Sequence, residues 1–203
     1  MAKAIVFDIG GVLVGLDMER CIRAFRQRLG FERITELLDP FHQKGIYGEM
    51  EAGEVSADDF RAYILAESRP GCRPEDVDLA MKELLAEMPE DTVRTVRDLS
   101  ARYPLYLLSN NNAISMGHIY ALFREKGIEP GTTFRDQFIS YQMRMLKPSR
   151  AIYDEAARRI GLSPEEILFI DDSPTNVRAA QEAGWQARLY VPGTELSALL
   201  KDC

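Results

Sequence analysis

The stretch VFDIGGVLVG, Val6–Gly15, runs an apolar segment into a single carboxylate, Asp8, and then turns on two adjacent glycines, Gly10 and Gly11. A buried strand that ends on a charged residue and a flexible turn is the layout of an α/β unit, whose ligands gather beyond the carboxyl ends of its strands. Further short apolar runs have the length and character of strands buried on both faces: LYLL before Ser109, FIS at Phe138–Ser140, ILFI before Asp171, and ARLYV at Ala187–Val191. Helical patterns lie between most of them. AISMGHIYALFREKG ends on Gly127, SRAIYDEAARRIG on Gly161 and PTNVRAAQEAG on Gly184, and SPEEILFI opens with a serine cap and an N1 proline. The alternation predicts a doubly wound parallel α/β sheet.

From about Leu16 to Met88 the rhythm changes to amphipathic helical patterns with no strand run. MERCIRAFRQRLG stops at Gly30, ERITELLD stops before Pro40, SADDFRAYILAES starts with Ser56 and Asp59 at capping-box spacing, and PEDVDLAMKELLAEM ends before Pro89. The expected organisation is therefore an α/β core of residues 1–15 and 89–203 with an inserted all-helical cap over 16–88, placed above the strand ends.

Composition bounds the function. The chain has 203 residues, 46% hydrophobic and 28% charged, which fits a folded globular protein. A formal net charge of −7 argues against nucleic acid as a partner, because sequence-independent binding rests on a basic surface. The three cysteines, Cys21, Cys72 and Cys203, are far apart and lack metal-ligand spacing, as expected of reduced thiols. No secretory-type segment opens the chain and no run reaches membrane-spanning length, so the expectation is a cytoplasmic protein with no membrane partner, acting as a monomer or weak dimer.

The predicted strand ends carry Asp8, Ser109, Lys147 (in MLKPSR), and the pair Asp171–Asp172. In a parallel sheet these converge on one edge. Three carboxylates brought together repel one another unless a cation neutralises them, and Mg²⁺ suits a site of carboxylates plus substrate phosphate. Each residue then has a task in phosphoryl transfer. Asp8 attacks phosphorus to give an aspartyl-phosphate. Gly10 and Gly11 let backbone N–H groups bend around the phosphate. Ser109, placed where a helix would begin, offers its hydroxyl together with the N–H of Asn110. Lys147 supplies positive charge to the phosphoryl oxygens and to the nucleophile.

The ordered set FDIGGVL, LLSNNN, LKPSR and FIDDSPTN resembles the haloacid dehalogenase-like superfamily, and the helical insert looks like its cap domain. Within it the chain is similar to bacterial sugar-phosphate phosphatases related to glucose-1-phosphate phosphatase. The resemblance implies a Rossmann-like core and a phosphoric monoester hydrolase acting on a small phosphorylated metabolite. Asp8 would be the nucleophile, with Ser109 and Lys147 as phosphate ligands. Mg²⁺ would be held by Asp8, the backbone carbonyl of Gly10, and Asp172 supported by Asp171.

One position departs from the superfamily pattern: the acid–base aspartate expected two residues after the nucleophile is Gly10. General acid–base catalysis contributes about 10²–10⁴-fold, so its loss slows turnover and biases the enzyme toward good leaving groups. Its sugar-phosphate relatives tend to have glycine here, which implies that metal-bound water or a cap side chain substitutes. The alternative is a non-catalytic or very slow phosphometabolite-binding protein; a mutase is disfavoured by the missing aspartate. His118 reads as a packed or surface residue. His42, with Phe41, Lys44 and Tyr47 in DPFHQKGIYGEMEAGE, either faces the substrate or packs between cap helices.

Overall fold

The computed structural model describes residues 2–39 and 43–202. Its centre is a five-stranded parallel sheet in the order β3-β2-β1-β4-β5, with β1 at Ala4–Phe7, β2 at Leu105–Ser109, β3 at Phe134–Ile139, β4 at Ile167–Asp171 and β5 at Gln186–Leu189. The three central strands, β1, β2 and β4, are buried along their whole length, which is why they read as unbroken apolar runs.

Side chains alternate across the sheet with the two-residue strand period. Ile5, Phe7, Leu105, Leu107, Leu168 and Ile170 enter one cluster. Ala4, Val6, Tyr106, Leu108, Ile167 and Phe169 enter the other. The first is covered by α6 (Glu90–Ser100) through Val93, Val96 and Leu99, and by α7 (Ala113–Glu125) through Ile119 and Phe123. The second is covered by α10 (Arg150–Ile160) and α11 (Pro174–Glu182), with Trp185 set edge-on to Tyr153 and Phe169. Layers on both faces make the doubly wound arrangement that the strand and helix alternation predicts.

The segment before α6 is helical among its described residues: α1 (Met18–Ala24) running into a π-helical turn at Phe25–Leu29, α2 (Ile34–Leu37), α3 (Gly45–Glu51), α4 (Ala57–Ala66) and α5 (Pro74–Lys82). These helices enclose a third cluster, built on Phe25, Phe31, Tyr47, Phe60 and Ile64, into which α7 contributes Ile114. Ser56 and Asp59 form the expected capping box: Ser56 Oγ accepts from the Asp59 N–H at 3.1 Å, and the Ser56 N–H donates to Asp59 Oδ2 at 3.0 Å.

Several boundaries differ from expectation. α5 stops at Lys82 instead of running to Pro89, because the next residues pair with the outgoing chain: Asp17 N–H donates to Leu84 O at 2.8 Å, Ala86 N–H to Gly15 O at 2.8 Å and Gly15 N–H to Glu87 O at 3.1 Å. The two crossings between sheet and helical segment are thus a short paired ribbon. β3 begins at Phe134, directly after the single turn α8 (Pro130–Thr133), and hands Ser140 to α9 (Ser140–Met143), β5 ends before Tyr190, and α2 spans only four residues. The SPEE turn is a single 3₁₀ turn at Pro164–Glu166, where the Ser163 N–H donates to Glu166 Oε2 at 3.3 Å. No helix among the described residues is long and apolar enough to cross a membrane.

Candidate active site

Register brings the predicted residues together. Phe7 pairs with Leu107 on one side and Ile170 on the other, and the Asp8 N–H donates to Ile170 O at 2.9 Å, so Asp8 leaves β1 flanked by the ends of β2 and β4. Asp8, Gly10, Ser109, Asn110, Lys147 and Asp172 all line one cleft there. A wider cavity of about 480 Å³ opens beside β3 and contains none of them.

Lys147 organises the centre. Its ammonium, 2% exposed, stands 2.9 Å from Asp8 Oδ2 and 2.7 Å from Asp171 Oδ2, and packs over the Phe169 ring. Burial disfavours its charge, but Asp171 and Asp8 outweigh burial and hold its pKa above the ordinary lysine range. The Asn110 side chain clamps its backbone, donating from Nδ2 to Lys147 O at 2.9 Å and accepting the Lys147 N–H on Oδ1 at 2.8 Å. Asn110 therefore places the lysine and itself lines the cleft.

The carboxylates differ in their surroundings. Asp171 is fully buried, and its oxygens accept from the Ser173 N–H at 2.8 Å and from Asn176 Nδ2 at 3.1 and 3.2 Å besides Lys147. So engaged, it orients the lysine and supports its neighbour. Asp8 is pushed up to about 7 by burial, with Lys147 opposing and Asp171 and Asp172 adding to the rise. Asp172 is pushed up to about 6 by burial and by Asp171, again against Lys147. Ligand atoms of Asp8, Asp171 and Asp172 lie within 4.8 Å of one another. Carboxylates crowded this closely, with one lysine among them, fit a hard divalent cation.

Gly11 answers why the turn needs glycine. Its φ is +76°, and a Cβ built there would overlap the carboxyl group of Asp172. The bare backbone is what lets that carboxylate approach. Gly10 has a different neighbour: a Cβ there would stand 3.2 Å from Leu16 Cδ1, so Leu16 occupies the ground beside the missing aspartate.

Ser109 is buried at the last position of β2, and α7 starts only at Ala113, with Asn112 as N-cap accepting from the Ser115 N–H at 3.0 Å. Ser109 is thus a strand-end residue, and the helix start expected beside it lies beyond LLSNNN. Of the loop residues weighed as substrate-facing, Tyr47 is 1% exposed and packs edge-on to Phe60, while Lys44 pairs with Asp39 at 3.1 Å; Phe41 and His42 lie outside the described residues. His118 Nε2 sits 3.1 Å from Asp78 O, tying α7 to α5.

Two lining residues carry no local signal in the sequence: Asn111, whose N–H donates to Ser140 Oγ at 2.9 Å, and Glu51 from α3. Glu51 is half-buried and pushed up to about 8 by burial and the Asp8 charge, with Lys147 opposing.

Known proteins resemble this chain in sequence and fold. The chain is 32% identical over 188 residues to D-ribitol-5-phosphate phosphatase from Bacteroides thetaiotaomicron, covering 92% of this chain and 90% of that one. The crystal structure of the wild-type HAD family enzyme BT-2542 from the same organism, in complex with magnesium and inorganic phosphate, superposes with a TM-score of 0.90 at 31% identity over 98% of this chain and 99% of that one. A predicted HAD-like family hydrolase from Porphyromonas gingivalis gives a TM-score of 0.86 at 31% identity over 99% and 97% of the two chains. The sequence pattern of the haloacid dehalogenase-like hydrolases matches residues 2–184, and the chain belongs to that family.

Proposed function

We propose that the protein is a Mg²⁺-dependent phosphatase of small phosphorylated metabolites, with sugar or sugar-alcohol phosphates as its substrate class, working through an aspartyl-phosphate on Asp8. The observation that carries the reading is the buried lysine shared between Asp8 and Asp171, with the Asp172 carboxyl group seated against Gly11. The relatedness to a D-ribitol-5-phosphate phosphatase and to an enzyme crystallised with magnesium and phosphate supports it. The assignment of 1–15 and 89–203 as catalytic core and 16–88 as cap belongs to the same reading.

Asp8, Asp172 and the Gly10 carbonyl would hold the ion, with Asp171 behind them; Mg²⁺ supplies charge neutralisation between these carboxylates and the phosphoryl oxygens. Lys147 at 2.9 Å favours the ionised form of Asp8 and presents a positive charge to the phosphoryl group. Ser109 and the Asn110 N–H bind its remaining oxygens. Asp8 Oδ forms a bond to phosphorus as the ester oxygen departs, and water then hydrolyses the acyl phosphate. A binding-only pocket gains nothing from a carboxylate aimed at an anionic ligand.

The test is hydrolysis of p-nitrophenyl phosphate followed by a panel of sugar and polyol phosphates. Activity that requires Mg²⁺ and vanishes in Asp8→Asn is expected. Phosphate binding without turnover in the native protein would favour the binding-protein alternative.

A further inference from the structure

Glu51 is the one ionisable group in the cleft, among the described residues, that this chemistry leaves without a task. It is the last residue of α3 and lines the cleft with Asp8, Ser109 and Lys147. Its backbone is tied to the core: the Glu51 carbonyl accepts from the buried Ser140 Oγ at 2.6 Å, and that same oxygen receives the Asn111 N–H at 2.9 Å. Two residues on, Gly53 has φ +72° and approaches the Tyr141 carbonyl so closely that a Cβ would overlap it. The end of α3 is therefore seated on the turns that leave β2 and β3, which sets Glu51 in the lining of the cleft from the helical side.

The need for such a group is set by Gly10. An alkyl ester oxygen is a poor leaving group unless protonated, and position 10 offers no side chain, with Leu16 standing beside it. Of the carboxyl groups lining the cleft, Asp8 and Asp172 serve phosphorus and the cation, and Glu51 remains.

We infer that Glu51 is the proton donor to the leaving oxygen, a role that rests on the phosphatase reading above. As Asp8 Oδ bonds to phosphorus and the ester P–O bond breaks, the Glu51 proton passes to the departing oxygen, giving a neutral alcohol and a Glu51 carboxylate. That carboxylate then accepts a proton from the water attacking phosphorus. The bond from phosphorus to Asp8 breaks, phosphate leaves, and both side chains return to their starting states. The strong bias toward good leaving groups expected from Gly10 alone thus belongs to a Glu51 variant and not to the native protein.

Native protein, Glu51→Gln and Glu51→Asp are compared with Mg²⁺ on p-nitrophenyl phosphate, whose leaving group needs no proton, and on glycerol 2-phosphate, whose leaving group does. Calorimetric binding of Mg²⁺ and inorganic phosphate and the melting temperature serve as readouts independent of turnover. Glu51→Gln is expected to lower kcat on the alkyl ester by about 10²–10⁴-fold and on the aryl ester by less than about 10-fold, with binding and melting near native and partial rescue by Glu51→Asp. Equal losses on both esters, or an undiminished alkyl rate, overturn the proton-donor role and leave the phosphatase reading standing. If Glu51→Gln fails to fold, the Glu51→Asp comparison decides by the same ratio. Absence of Mg²⁺-dependent hydrolysis of either ester by the native protein overturns the phosphatase reading, and the donor role with it.

Discussion

At the scale of single residues, the site is held by a few close approaches that substitutions can break one at a time. Gly11→Ala places a methyl group where the Asp172 carboxyl group sits and adds the strain of a left-handed residue, worth about 1–2 kcal/mol. It is expected to leave a folded protein whose Mg²⁺ affinity, measured by titration calorimetry, falls at least about 10-fold. Lys147→Met removes the cation between two buried carboxylates, and the loss of one partner of a buried pair costs about 3–5 kcal/mol. Urea unfolding of the metal-free variant is expected to show that loss at pH 8 and a smaller one at pH 6, where Asp8, pushed up to about 7, is mostly protonated. Asp8, Ser109, Asp171 and Asp172 are legible in the sequence because each stands at or just after the end of an apolar run, whereas Lys147 lies beyond α9 rather than at the end of β3 and is marked only by MLKPSR. Glu51 is not: it enters the cleft through a helix whose contacts with the core are made at its Ser140-bound carbonyl, and a backbone contact leaves no mark in residue type.

At the scale of elements, packing decides which expectations hold. The central strands are legible because burial on both faces demands continuous apolar runs, and the Ser56–Asp59 cap is legible because its chemistry is local. The end of α5 is not, since it is set by ribbon pairing with residues 15–17, distant in sequence. Nor is the π turn after α1 legible, from which Phe25 and Leu29 both enter the helical cluster. Cys21 in α1 tests how tightly that cluster is closed. It is fully buried, and burial, with Glu83 adding, pushes its thiol up to about 12, so almost no thiolate forms at ordinary pH. Iodoacetamide at about pH 8, followed by peptide mapping, is expected to label half-buried Cys72 while Cys21 stays at least about 100-fold slower until denaturant is added. Comparable rates at the two thiols would mean that the helical cluster opens readily.

At the scale of the whole molecule, the charges at the strand ends make stability depend on pH and on metal. Asp172, Asp8 and Glu51 are raised to about 6, 7 and 8, so each binds its proton more tightly in the folded protein than in the unfolded chain. Their ionisation opposes folding, and the metal-free protein is expected to lose stability as pH rises through that window, while the raised lysine stays charged and constant across it. A fall in melting temperature on the order of 5 °C between about pH 5.5 and pH 8.5 is expected, largely removed by excess Mg²⁺, which binds the ionised carboxylates of the folded state. A metal-free protein that grows more stable over that range would contradict the crowding of these groups. The central claim is that Asp8 and Asp172, brought together by β1 and β4, form one divalent cation site. Calorimetric titration of Mg²⁺ at neutral pH into the native protein, Asp8→Asn and Asp172→Asn tests it most directly. One ion bound by the native protein and affinity at least about 10-fold weaker in each variant is the predicted result; native-like binding by both variants would contradict it.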